Sequence, residues 1–251
     1  MSGAPRRSAE FLTKRLTALD RDRTHPPIRV RDAASLIIYD PDGERVLMGR
    51  RSAKHVFMPN RFVFPGGRVD PTDGRVRVAG EFDALTTEKL LRDTSKRHGP
   101  ARVRALGVAA LREAFEETGV LIGVEGGGPL PQTTAFSGFW RRTLALDLSQ
   151  LSFIARAVTP PGRPRRYDTR FFMVPREAVA AIDDSVVGAD AELEEIAWVP
   201  ISDAMELPLP IITVTVLDEL RARLADDPQL SPDRPVPYYR WRGRGFVRKL
   251  L

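Results

Sequence analysis

The 251-residue chain contains no cysteine. Disulfides, thiolate nucleophiles and cysteine-ligated zinc are excluded together. Histidine is nearly as scarce, and His25, His55 and His98 stand far apart without ligand spacing. Neither a zinc centre nor a Ser-His-Asp triad is expected from them. No apolar run approaches the length of a membrane span, so no membrane association and a cytoplasmic location are expected. The first nineteen residues carry Arg6, Arg7, Lys14 and Arg15 but no apolar core of a secretion signal. An amphipathic helix over about 8–19 is expected there. Lysine is scarce beside arginine, and the formal net charge is +6. Such a balance attracts phosphates of any kind, which suits nucleotides and nucleic acids alike.

What the chain does have is an unusual run of acids. Glu113, Glu116 and Glu117 stand at i, i+3 and i+4, so a helix puts all three carboxylates on one face. Gly119 follows as the helix stop. Like charges at this spacing repel, and the end of a helix already disfavours anions. A divalent cation removes the conflict, and carboxylate oxygens suit Mg²⁺ or Mn²⁺. The plain alternative is a solvated acidic face, with Arg112 pairing Glu116 across one turn.

Upstream, Phe64-Pro65-Gly66-Gly67 ends a short alternating segment, residues 61–64, that reads as a strand. Paired glycines after a strand mark a sharp turn or a close approach. Their backbone groups can ligate a metal through C=O or receive a phosphate through N–H.

Together these motifs resemble the Nudix box, Gly-x5-Glu-x7-Arg-Glu-U-x-Glu-Glu-x-Gly-U, where U is apolar. Residues 112–120 match its second half, with Ala114 as a small first U. The first half begins at Gly67 and reaches Asp73 where the box has Glu. The Arg-Glu pair would then fall near residue 81, but it falls at 112, so about 74–104 reads as an insertion. Position 104 is Arg, so the first acid is either Asp73 or lost. Within the superfamily, residues 50–59, 62–67, Asp70, Asp73 and 166–172 resemble coenzyme A diphosphatases of the peroxisomal type.

The resemblance implies an α/β fold, an α/β/α sandwich with a mixed β-sheet, for about 31–225. Residues 1–30 would form an N-terminal helix and linker, and 226–251 a separate basic, aromatic tail. It implies that Glu113, Glu116, Glu117 and the Gly67 carbonyl hold Mg²⁺ or Mn²⁺. Arg112 would orient the carboxylates, and Glu113 and Glu117 would complete the catalytic set, with the identity of the base left open. A further acid could come from Glu192, Glu194 or Glu195. Arg51, Arg61, Arg166 and Arg170 are the candidate phosphate ligands, and Phe57, Trp140 and Tyr167 could stack on a base or pack inside. The expected reaction is hydrolysis of a phosphoanhydride in a nucleoside diphosphate linked to another moiety, with coenzyme A or acyl-coenzyme A favoured. ADP-ribose, dinucleotides, capped RNA and a non-catalytic nucleic-acid-binding module are the alternatives. A phosphorylated small molecule is the expected partner, ahead of nucleic acid, and the resemblance allows a homodimer.

Elsewhere the pattern predicts strands at 33–39, 45–51, 120–124, 153–158, 170–175 and 192–199. It predicts helices near 82–93, 102–118, 134–148, 202–206 and 210–224.

Overall fold

The computed structural model describes residues 6–17, 28–52, 59–94, 99–126, 130–131, 133–186 and 192–251. The stacking candidate Phe57, all three histidines and part of the predicted linker lie outside the described residues.

Helix α1 (Ala9–Thr17) precedes a hairpin of β1 (Arg31–Asp40) and β2 (Arg45–Arg51). Asp40 begins its turn by accepting a bond from the Asp42 amide at 3.3 Å. Two short strands, β3 (Phe62–Val63) and β4 (Gly66–Arg68), lie against β2 and β1. Helix α2 (Ala84–Leu91) falls in the predicted insertion and starts on the Asp83 side chain, which caps the Thr86 amide. Helix α3 (Pro100–Thr118) begins two residues before the prediction, because Pro100 sits where a missing N–H costs nothing. Then come β5 (Val120–Ile122), β6 (Val124–Glu125), α4 (Ser137–Arg141), β7 (Leu144–Ala145), β8 (Ser152–Val158), β9 (Tyr167–Pro175), β10 (Val179–Ile182) and β11 (Leu193–Pro200). Helices α5 (Ile201–Ala204) and α6 (Ile211–Asp226) lead to a final hairpin, β12 (Pro237–Arg242) and β13 (Gly245–Leu250).

The main sheet runs β11-β2-β1-β9-β8-β12-β13, with β1–β9 and β8–β12 parallel and the rest antiparallel. Alternation along β1 divides the core. Ala34, Leu36 and Ile38 pack with Leu106, Ala110 and Phe115 of α3, while Ile37 faces Leu12 of α1 and Val216 and Leu220 of α6. Helices thus cover both faces, as an α/β/α sandwich requires. No described helix is long and apolar enough to cross a membrane.

Two sequence expectations fail here. Residues 134–148 form one short helix and a strand instead of a continuous helix. Thr143 adopts a left-handed φ of 54°, Leu144–Ala145 pair with Val124–Glu125, and Leu144, Leu146 and Leu148 are buried at a strand-like spacing of two. The C-terminal segment is no separate tail. Tyr238 and Tyr239 pair with Arg156 and Ala157 of β8, and Tyr239 is fully buried within hydrogen-bonding reach of Glu219 and the Arg7 carbonyl. Strand β10 is missed altogether.

Candidate active site

The acidic helix reaches the sheet edge because α3 carries two kinds of face. Val103, Leu106, Ala110, Leu111, Ala114 and Phe115 are all buried, which clamps the helix on β1. Gly119 ends it with φ 72° and returns its N–H to the Phe115 carbonyl at 2.8 Å. A side chain at 119 would also strike the Asp183 carbonyl at 2.2 Å.

Beside the last turns of α3 lies β4. Gly66 and Gly67 run antiparallel to Ser35 and Ala34. A Cβ on Gly66 would lie 2.4 Å from the Ala34 carbonyl oxygen, and one on Gly67 would lie 2.4 Å from the Glu113 carboxylate. Both glycines are therefore demanded by close approach, one to the sheet and one to the acid. The Gly66 amide donates to Glu117 Oε2 at 2.8 Å, which fixes that carboxylate against the turn.

Arg112 is buried and its guanidinium is saturated. Nε and Nη2 donate to the two oxygens of Asp73 at 3.0 and 3.1 Å, and Nη2 also donates to the Arg68 carbonyl at 3.0 Å. Nη1 donates to Glu113 Oε1 at 2.8 Å and to Glu116 Oε2 at 2.6 Å. Burial opposes the Arg112 charge, but the bonds to Asp73 and the field of Glu113 outweigh it and raise its pKa above the usual value. Asp73 is 1% exposed and also accepts from the Asp70 amide at 2.7 Å. The question left by the sequence is thus answered in part: Asp73 holds Arg112 in a bidentate pair, and Arg112 in turn holds two of the glutamates.

Glu117 is 4% exposed, and burial pushes its pKa up to about 8, with Glu192 and Glu113 adding to the rise against the Gly66 N–H and Arg51. Glu113 is also raised, mainly by burial and against the pull of Arg112. Glu116 is the most exposed of the three carboxylates. Among the described residues, no three acidic or imidazole side chains are gathered tightly enough to hold a metal ion as they stand. The donors fit a hard cation in kind: the carboxylates of buried Glu117 and half-buried Glu113 lie against the Gly66-Gly67 backbone. They do not yet fit in arrangement, since Glu113 and Glu116 each spend an oxygen on Arg112.

A cleft of about 1960 Å³ opens beside this cluster, lined there by Gly66, Gly67, Glu113, Glu117, Arg51 and Glu192. Arg51 pairs with Glu192 at 2.9 Å. Of the three later acids considered, Glu192 faces the other carboxylates, whereas Glu194 and Glu195 pair with Arg50.

The remaining phosphate candidates divide. Arg61 is exposed and does not line the cleft. Arg166 donates to the Thr159 and Ile28 carbonyls, which ties two loops together. Arg170 is a correction: it is 1% exposed and bonded to Asp32 and the Asp168 carbonyl, out of reach of any substrate. Tyr167 lines the cleft, and Trp140 stands 44% exposed beneath the Arg141 guanidinium. Sequence reasoning missed Asp32 and Asp168, whose pairing shows only when β1 and β9 lie side by side.

No family model matches the chain. It resembles a crystal structure of a Nudix hydrolase from Alicyclobacillus acidocaldarius, with 31% identity, a TM-score of 0.59, and 77% of this chain and 92% of that chain covered. Nudix hydrolase 7 of Caenorhabditis elegans is 30% identical over 180 residues, covering 67% of this chain and 51% of the relative. The acyl-coenzyme A diphosphatase NUDT19 of Xenopus laevis is 26% identical over 209 residues, covering 64% of this chain and 54% of the relative. The chain therefore spans about half the length of these curated relatives. The agreement in sequence and fold along nearly the whole bacterial structure, in a chain that seats an Arg-Glu-x-x-Glu-Glu helix on its own Gly-Gly turn, places the protein in the Nudix hydrolase superfamily.

Proposed function

We propose that this protein hydrolyses a phosphoanhydride bond in a nucleoside diphosphate linked to another moiety, with coenzyme A or acyl-coenzyme A as the substrate. The observation that carries the reaction class is the buried Glu117 on the Gly66 amide beside Glu113 on Gly67, both carboxylates raised by burial at the mouth of a cleft. Support for the substrate is softer: the NUDT19 relative is an acyl-coenzyme A diphosphatase, and residues 62–67 and 166–172 resemble that subgroup. The insertion reading is supported by Gly74, whose backbone lies against the Ala101 carbonyl, so the intervening segment leaves and rejoins at one place.

Glu113, Glu116 and Glu117, with the Gly67 carbonyl, would hold Mg²⁺ or Mn²⁺. A bound divalent cation supplies water activation and relief of charge on the leaving phosphate. The chain's own residues set the geometry. Asp73 orients Arg112, Arg112 orients Glu113 and Glu116, and the Gly66 amide orients Glu117. Arg51 stands in the same cleft and would meet a phosphate oxygen, with Glu192 keeping its guanidinium in place. Water attacks phosphorus in line, the bridging P–O bond breaks, and the water's proton passes to one of the cleft carboxylates, Glu113, Glu117 or Glu192.

A Mg²⁺-supplemented screen tests the reading with coenzyme A, acyl-coenzyme A, NADH, ADP-ribose, diadenosine polyphosphates, capped RNA and nucleoside triphosphates. Release of adenosine 3′,5′-bisphosphate and a phosphopantetheine from coenzyme A is expected. Preferential cleavage of another member would move the substrate and leave the reaction class standing.

A further inference from the structure

Thr213 is only 4% exposed, yet its hydroxyl has no hydrogen-bond partner among the described residues. Thr215, two residues further along α6, shows the ordinary outcome: it is fully buried and donates to the Arg6 and Ile211 carbonyls. A buried hydroxyl left unpaired costs free energy unless a ligand supplies the missing partner. Thr213 lines the cleft, and its oxygen is not sealed off from it.

The residue is the third of α6, on a helix start that is itself unsatisfied. Pro210 has no N–H, and no side chain caps the helix. The Thr213 and Val214 amides return to the Pro210 carbonyl at 2.9 and 3.2 Å. That leaves the amides of Ile211 and Ile212 without a partner among the described residues. Pro210, Ile211, Ile212 and Thr213 all line the cleft that holds Gly66, Glu113 and Glu117. The Phe62 amide donates to the Pro208 carbonyl at 3.2 Å, which ties the approach to α6 to the strand leading into the Gly66-Gly67 turn.

Two free amides at the positive end of a helix of 16 residues, with a hydroxyl beside them, make a cradle for a phosphate oxygen. Their charge is partial and fixed. In a cleft that also holds Glu113, Glu117 and Glu192, a further guanidinium would pair with an acid, as Arg51 and Arg112 do. Amides and a hydroxyl escape that competition. We infer that the first turn of α6 is a phosphate-binding turn, in which the Ile211 and Ile212 amides and the Thr213 hydroxyl hold one phosphate of the substrate's anhydride. The inference rests on the reading of the cleft as a hydrolytic site, and it gives that site a phosphate contact that needs no cation.

ADP carries a diphosphate and, without a cation, stays intact, so calorimetry can titrate it into the full chain in EDTA. Thr213→Val removes the hydroxyl and nearly keeps the shape, while Thr213→Ser keeps the hydroxyl. Thr213→Val should weaken ADP binding about tenfold, the scale of one charge-assisted hydrogen bond, and Thr213→Ser should bind like the unsubstituted chain. The melting temperature of Thr213→Val should be unchanged or higher, because the group removed has no partner in the free protein. Inorganic phosphate should compete with ADP. Equal ADP affinity in Thr213→Val and the unsubstituted chain overturns the phosphate turn, even if hydrolysis is intact. So does an unsubstituted chain that binds no ADP in EDTA, since the cradle works without a cation. Phosphate that binds beside ADP without displacing it also overturns the turn, because the anion held there is then not the substrate's. A tenfold loss in Thr213→Val, in a protein that cleaves no anhydride once Mg²⁺ is added, would sustain the turn and sink the hydrolytic reading instead.

Discussion

Arg112 and Asp73 define the site at the scale of single residues. They are separated by the whole of the predicted insertion, yet they meet in a buried bidentate pair. Asp73→Ala leaves the Arg112 charge balanced by Glu113 and Glu116 but strips Nε of its acceptor, so it should cost about 1–3 kcal/mol of stability in chemical denaturation. A loss under 1 kcal/mol would mean that Arg112 finds another partner. Glu117 yields a second expectation. Burial pushes its pKa up from the ordinary carboxylate range to about 8, so in the metal-free protein it holds a proton at neutral pH. A cation must displace that proton, hence apparent Mg²⁺ affinity should rise between about pH 6 and pH 8 with net proton release. Calorimetry in buffers of different ionisation enthalpy measures both quantities, and a flat profile with no proton release contradicts the assignment. The shared face of the three glutamates was legible from helix spacing, while the places of Arg112 and Gly67 beside them were legible only through the resemblance to the Nudix box. The partnership with Asp73 was legible only as a position in a motif. Asp32 and Asp168 were not legible, since their meeting depends on strand register.

Among the elements, β4 and α3 form the working unit. A helix end brings the acids, and a glycine strand too thin to obstruct them supplies backbone. Gly67→Ala should therefore leave the melting temperature almost unchanged while displacing the Glu113 carboxylate, which its Cβ would approach at 2.4 Å. Roughly a hundredfold loss of kcat is expected from a misplacement near 1 Å. Near-normal kcat would show that Glu113 can shift without consequence. Most elements could be read from periodicity: β2 matches residue for residue, and α3 within two. Residues 134–148 could not, because their leucines satisfy a helical pattern as well as a strand-like one. Only the left-handed Thr143 and pairing with β6 decide between them.

For the whole molecule, the final hairpin matters most. The sequence suggests a separate tail over 226–251, but Tyr239 and Phe246 are buried with α1 and α6, and β12 extends the main sheet beside β8. Its alternating aromatics and the turn at Gly243 were the signal in the sequence, masked by the basic residues between them. A chain ending at residue 236 would expose the edge of β8 and the apolar surface beneath it. It should accumulate as aggregate and show no cooperative thermal transition. A soluble, cooperatively folding truncation would show that the hairpin is not needed to complete the fold. The same scale holds the central claim, that the acidic helix and the glycine turn form a metal-dependent hydrolytic site. Its most direct measurement is Mg²⁺-dependent hydrolysis of coenzyme A by the full chain and by the Glu116→Gln, Glu117→Gln double variant, with products identified. The account predicts cleavage that chelation abolishes and that the double variant lacks while remaining folded. Full activity in the folded double variant would contradict it.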